Sequence, residues 1–177
     1  MIGWMLLGCV GGEPLATLTD GQVEVEFREL HRRIYGVYEL APERDPVHDW
    51  LSASFAGEAL TREYIEHFTT LTRLEEAGMW VEPLGVAYDD VMVVGRGEGG
   101  VEVEAAWTVR GIVHHPTHEH ERVNHYEAIY TIMGSTVTDS TDSTDSTDSP
   151  AGPRIVAVRM KNVRRLSAEV PETTAFP

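Results

Sequence analysis

A cluster of imidazoles in the second half of the chain is the clearest candidate for chemistry. Five of the eight histidines fall between Ala105 and Met133, and three of them, His115, His118 and His120, lie within six residues of one another. Imidazole nitrogens bind zinc and related metals, or transfer protons near neutral pH. This pattern indicates a site but does not name its reaction.

Two alternating runs that meet at Pro116 predict a β-hairpin that brings these side chains together. Proline has the φ that position i+1 of a type I turn requires, so the turn is expected at residues 115–118. Antiparallel pairing then places the side chains of His115, His118 and four cross-strand pairs on the same inward face of the sheet. These pairs are Val113 with His120, Gly111 with Arg122, Val109 with Asn124, and Trp107 with Tyr126.

A transition metal is one ligand that this face could hold. Directly paired residues have Cβ atoms roughly 4.5–5.5 Å apart, and His118 and His120 are about 6.6 Å apart along a strand. The candidate ligands of zinc or another transition metal are therefore His115, His118 and His120. Their spacing is not one of the standard zinc motifs.

Two other interpretations use the same face. Arg122, Asn124, Tyr126 and Trp107 could bind an anionic or carbonyl-containing small molecule, and in an enzyme His120 and Tyr126 would act as acid and base. Alternatively, the polar side chains form a structural hydrogen-bond network that closes the open end of the fold.

Helical periodicity dominates the first half of the chain. Apolar residues at steps of three and four over 23–37 predict a first helix that ends by Ala41, after a tether at 15–21. Asp45 and Pro46 predict the start of a second helix, which Gly57 bends or ends. A third helix follows through residues 60–71, and Gly78 is its expected C-cap. Polar residues of these helices are expected on the surface: His48, Asp49, Glu63 and His67.

The periodicity then changes to two, which predicts strands. Residues 80–88, 91–95, 101–109 and 155–163 are β-rich, and the odd positions of 101–109 are expected to face the core. His114 and His125 have the opposite parity, so we expect them to be solvated. Thr138–Ser149 repeats the triplet Thr-Asp-Ser and is expected to be a disordered loop within the insertion 134–153. Residues 167–177 are expected to form a tail.

Composition limits the class of protein and of partner. The chain has 177 residues, enough for one domain with its own core, expected at 21–166. Its 29 acidic residues against 14 basic ones give a net charge of −15, which disfavours nucleic acid as a partner. Cys9 is the sole cysteine, so no intramolecular disulfide can form.

The N-terminal residues 1–20 carry a signal-like pattern. Leu6-Leu7-Gly8-Cys9 follows an apolar run and resembles the lipobox of bacterial lipoproteins, although a basic n-region is lacking. The resemblance implies that Cys9 is lipidated and that the protein is periplasmic or lipid-anchored in the cell envelope. The alternative is a cytoplasmic protein in which Cys9 is buried.

The order of elements, helices first and then a curved antiparallel sheet of four to six strands, resembles the α+β cone of the NTF2-like superfamily. The segment HPTHEHERVNHYEA, from His115 to Ala128, also resembles a hairpin of uncharacterised exported bacterial proteins. These resemblances imply a binding or accessory module with a His-rich pocket on the inner sheet face, and an NTF2-like lyase or isomerase is the alternative. Expected partners are a small molecule or a metal, a membrane reached only through a lipid anchor, and a second copy paired through the outer sheet face.

Overall fold

The computed structural model describes residues 15–40, 46–134 and 152–166. None of the helices in these ranges has both the length and the apolar character needed to cross a membrane. Short 3₁₀ helices lie at Leu15–Thr17 and Tyr35–Leu40. The α-helices are α1 (Asp20–Ile34), α2 (Val47–Ser52) and α3 (Gly57–Glu76), and the strands are β1 (Trp80–Gly97), β2 (Gly100–His114), β3 (Glu119–Met133) and β4 (Arg154–Leu166).

The strands form one open antiparallel sheet in the order β1-β2-β3-β4. Each strand pairs with the next along the chain, so hairpin connections suffice at β1–β2 and β2–β3. The predicted α+β class with an antiparallel sheet is confirmed. The regions expected as two strands at 80–88 and 91–95 form one long strand, β1, interrupted by register shifts after Pro83, Tyr88 and Val93.

One face of the sheet is buried against the helices. Val101, Val103, Ala105 and Trp107 are all buried, as expected for the odd positions of β2. From α1, the apolar stripe that includes Val23 and Phe27 packs into the same core. Burial of this stripe, rather than helix propensity alone, is what stabilises such a helix.

The beginning of α1 and the residues before it differ from the expectation. Thr19 caps α1 through a capping box with Gln22, so the helix begins earlier than the apolar stripe indicates. Leu15 is buried, and the prediction of a tether at 15–21 is therefore wrong. The α-helix also ends at Ile34 and continues as a 3₁₀ helix, which changes the direction of the residues after it.

The two glycines assigned to helix ends have different roles. Gly57 begins α3, with φ +58°, and does not end α2. Gly78 has φ +64° just after α3, so the predicted αL cap is confirmed. α2 begins next to Pro46, as predicted, but Pro46 is its N-cap and not its first helical residue. Asp45, like Thr138–Ser149 and Cys9, lies outside the described residues.

The outer face of the sheet carries ion pairs. Arg110 contacts Glu121 at 2.7 Å, as their outward parity predicts. His114 stacks on Trp80 with ring centroids 3.6 Å apart, and its nitrogens lie 3.4 Å and 3.1 Å from carboxylates of Glu82 and Glu119. The prediction that His114 is solvated is therefore wrong.

The second outward histidine is enclosed in the same way. His125 lies between Asp89, at 3.3 Å, and Glu127, at 3.4 Å, and only 13% of its side chain is exposed. It too was wrongly expected to be solvated, because outward parity on a long sheet does not exclude burial by neighbouring long side chains.

Candidate functional site

The β2–β3 hairpin has the register that its sequence predicts. Val113 pairs with His120, Gly111 with Arg122, Val109 with Asn124, and Trp107 with Tyr126. The backbone N–H of His115 donates to the carbonyl oxygen of His118 at 2.8 Å, which closes the turn around Pro116 and Thr117. The inner face of β3 is therefore shared by His120, Arg122, Asn124 and Tyr126.

Three imidazoles stack at the tip of this hairpin. The ring centroids of His115 and His118 are 4.4 Å apart, and His120 lies 5.1 Å from His115 and 5.8 Å from His118. Each ring offers a nitrogen within 4.8 Å of those of the other two. Partial burial, and then the neighbouring His118 and His120, lower the pKa of His115.

Below the tip, the inner face of the sheet forms one wall of a cavity of about 340 Å³. The 3₁₀ helix contributes Tyr35 and Tyr38, and the end of α3 contributes Leu74. Gly78 supports this arrangement, since a Cβ there would contact Cγ of Pro116 at 3.4 Å. The cap of α3 therefore lies directly against the hairpin turn.

A chain of polar contacts runs along β3 inside the cavity. Arg122 donates from Nε to the amide oxygen of Asn124 at 3.3 Å, and Asn124 donates from Nδ2 to the Tyr126 hydroxyl at 3.0 Å. Because residues at i, i+2 and i+4 of a strand share a face, this order follows directly from the sequence. Arg122 keeps its terminal nitrogens available, as no carboxylate of the described residues pairs with them.

A second hydrogen bond fixes another hydroxyl of the cavity wall. The indole N–H of Trp107 donates to the Tyr35 hydroxyl at 2.6 Å. Trp107 is buried and stacks on Tyr126, with centroids 5.3 Å apart. Trp107 contacts both tyrosines and is not among the residues that line the cavity, so its ligand-binding role stays a prediction.

The charge of the cavity differs from that of the whole chain. Its described lining includes Arg122, Arg165, His115 and His120, as well as Arg110, whose guanidinium is paired with Glu121 on the outer face, and it contains no aspartate or glutamate. Three other cavities in the described structure each include at least one glutamate. A carboxylate-free cavity is unexpected in a chain with 29 acidic residues.

His31 is a polar core residue that the sequence analysis did not single out. Its Nδ1 lies 2.9 Å from the Tyr88 hydroxyl and its Nε2 lies 2.9 Å from the Tyr130 hydroxyl. Burial lowers its pKa to about 3. The available signal was its position, four residues after Phe27 and three before Ile34, which places it on the buried stripe of α1.

Two polar residues of α3 also depart from the expectation of surface positions. The side chains of His67 and Glu63 are only 12% and 16% exposed, and His67 Nε2 lies 3.9 Å from Glu63 Oε2. Burial lowers the pKa of His67 to about 4 and raises the pKa of Glu63. His48 and Asp49, by contrast, lie on the surface of α2 as predicted.

The candidate acid and base, His120 and Tyr126, line the same cavity but are too far apart to contact one small group together. His120 and Tyr126 are six residues apart on one strand, up to about 20 Å at about 3.3 Å per residue. Tyr126 and Asn124 line the cavity with Arg122, whereas His118 is exposed and does not line it.

No protein-family model and no curated protein sequence matches this chain. Its candidate functions consequently depend on the geometry of the site.

Proposed function

We propose that this protein is a binding module whose cavity takes a small organic anion, a carboxylate with an apolar aliphatic or aromatic body. The observation that carries the proposal is the carboxylate-free, arginine-containing lining in a chain of net charge −15. Clefts lined by one sign of charge concentrate ligands of the opposite sign. A volume of about 340 Å³ suits a small molecule rather than a polymer.

The two arginines best placed to bind the anion are Arg122 and Arg165. Arg165 pairs with Asn124 across β3 and β4, so it shares the inner face with Arg122 on the neighbouring strand. Arg110 is engaged by Glu121 on the outer face and is not available. Guanidinium groups bind carboxylates through paired, charge-assisted hydrogen bonds, which gives both affinity and orientation.

Two tyrosines supply further donors. The hydroxyl oxygens of Tyr35 and Tyr126 accept from Trp107 and Asn124, so the proton of each hydroxyl is left to donate elsewhere. Both line the cavity, and within the described part of the chain no acceptor receives either proton. Burial raises the pKa of Tyr35 well above its ordinary value, so it stays a donor at neutral pH.

The apolar wall defines the rest of the ligand. Val81, Pro83, Val109 and Val113 come from β1 and β2, and Leu74 and Met79 come from α3 and the residues after it. Burying an aliphatic or aromatic body here adds roughly 25 cal/mol for each Å² of apolar surface removed from water. The cavity therefore suits an amphipathic acid better than a highly polar one.

Export and lipid anchoring at Cys9 form part of the proposed biology and rest on the lipobox-like sequence alone. A lyase or isomerase remains the alternative, with His120 or Tyr126 acting on a bound carbonyl compound. Their separation along β3 favours binding over paired acid–base action on a single small group.

Matched acid and amide pairs test the proposal. The melting temperature is measured with octanoate, octanamide, phenylacetate and phenylacetamide, all with chelator present. The acids should raise it by mass action, whereas the amides should have little effect. Replacing Arg122 or Arg165 by Gln should weaken acid binding roughly tenfold, and Arg159→Gln on the outer face is the matched control. Equal stabilisation by acids and amides would refute the proposal.

A further inference from the structure

We propose that His115, His118 and His120 form a binding site for a divalent transition metal, of the class that includes Zn²⁺, Co²⁺, Ni²⁺ and Cu²⁺. This goes beyond anion binding, because the donors are three imidazoles and none of the arginines takes part. Neutral imidazole suits these metals, whereas Mg²⁺ and Ca²⁺ prefer oxygen ligands.

The geometry is close to that of a metal site. The three donor atoms lie within 4.8 Å of one another. Tetrahedral zinc with Zn–N distances of about 2.0–2.1 Å requires nitrogens about 3.4 Å apart. The rings must therefore close by about 1.4 Å at most, and His118 is exposed in the turn, where its side chain has room to rotate.

An unsatisfied buried atom points to a ligand at this position. Nε2 of His115 is buried and has no hydrogen-bond partner among the described residues. A buried polar atom without a partner is unfavourable, and such atoms in native structures call for a specific explanation. A metal ion would bind this nitrogen through its lone pair, which would remove the penalty.

The turn itself supplies a supporting contact. Nδ1 of His118 lies 3.2 Å from the Thr117 hydroxyl. The tautomer with its proton on Nδ1 donates to Thr117 and leaves Nε2 as a metal ligand. Metal-binding histidines generally use their second nitrogen in this way, which fixes the tautomer and the orientation of the ring.

Three imidazoles leave the metal with an open coordination position. His115 and His120 line the cavity, so this position would face the space that Arg122 also borders. A carboxylate bound there could complete the coordination of the metal. This last link, unlike the metal site itself, rests on the proposed binding of an organic anion.

Metal titration without any organic anion tests the site. The untagged full chain, stripped with chelator and dialysed, is titrated calorimetrically with Zn²⁺, and Co²⁺ is used as a spectroscopic probe. We expect one equivalent bound at a site that gives a tetrahedral Co²⁺ spectrum. Binding should weaken roughly tenfold or more in His118→Gln and in His120→Ala, less in Thr117→Val, and not at all in His48→Ala, where an exposed histidine of α2 is removed.

Unchanged affinity in His118→Gln and His120→Ala would overturn the proposal, because any bound metal would then use other residues. Absence of binding to the parent protein would also overturn it and would leave the imidazole stack as a structural feature of the turn. Melting temperatures of the chelated variants establish that each is folded. Anion binding is measured with chelator present, so either proposal can fail while the other holds.

Discussion

Nε2 of His31 lies 2.9 Å from the hydroxyl oxygen of Tyr130, which joins α1 to β3 in the middle of the core. On the other side of the ring, Tyr88 lies 2.9 Å from Nδ1 and donates its own proton to the carbonyl of Arg28 at 3.2 Å. Nδ1 must then carry the imidazole proton and donate to Tyr88, while Nε2 accepts from Tyr130. A neutral His31 thus satisfies the whole network with one proton.

Stability should therefore fall in acid. In the unfolded chain His31 takes up a proton below about pH 6.5, whereas in the folded protein its pKa is about 3. Between these values the unfolded state binds more protons, so the free energy of unfolding decreases as pH falls, by about 1.4 kcal/mol per pH unit. Above that window His31 contributes no pH dependence. Urea unfolding of the parent and of His31→Gln, near pH 7 and about pH 5, measures the effect.

Between about pH 7 and about pH 5 the parent should lose about 2 kcal/mol more unfolding free energy than His31→Gln, because the variant lacks the titrating group. His67, whose pKa is about 4, titrates in both proteins, so its contribution to the pH dependence cancels in the comparison. A difference that stays constant between the two pH values would show that His31 is not held neutral.

His67 should be replaceable with a gain in stability. Its Nδ1 is buried and has no hydrogen-bond partner within the described residues, and its nearest carboxylate, on Glu63, is 3.9 Å from Nε2. His67→Met fills similar space without the unsatisfied atom, so the free energy of unfolding should rise by about 1 kcal/mol at neutral pH. Denaturant unfolding measures it, with the exposed His48→Met as control. A loss of stability in His67→Met would indicate that the imidazole is engaged in the folded protein.

Gly78 and Gly21 form a matched pair for testing how the hairpin is supported. Gly78 has φ +64° and faces Pro116, so Gly78→Ala should cost about 1 kcal/mol of stability through the left-handed conformation. Gly21 lies in the first turn of α1, and a Cβ there would meet nothing within 4 Å. Gly21→Ala should therefore be neutral or stabilise by up to about 1 kcal/mol. Thermal unfolding compares them, and equal effects would contradict the assigned cap.

The hairpin could be predicted in detail because strand parity and one proline determine it. A two-residue turn at Pro116 and Thr117 leaves a single register, and that register fixes the inner face from Val113 to Tyr126. The polar chain from Arg122 to Tyr126 then follows without knowledge of any other element.

A pocket on the inner sheet face was expected from the resemblance, but its opposite wall could not be predicted, because that wall depends on where the helices dock. Tyr35 and Tyr38 reach it only because α1 gives way to a 3₁₀ helix at Tyr35. The burial of Glu63 and His67 likewise depends on how α3 packs on the sheet, which periodicity alone does not determine. The role of His31 could not be predicted, because the sequence of α1 does not show that Tyr88 and Tyr130 of the sheet contact this histidine.

The most direct test of anion binding is to locate it by nuclear magnetic resonance. Backbone amide shifts of the isotopically labelled protein are recorded during titration with octanoate, with chelator present. The proposal predicts shifts that saturate together at Arg122, Asn124, Tyr126 and Arg165 on the inner face, and that are largely lost in Arg122→Gln. Shifts confined to outer-face residues such as Arg159 and Ile129, or no saturable shift at all, would contradict it.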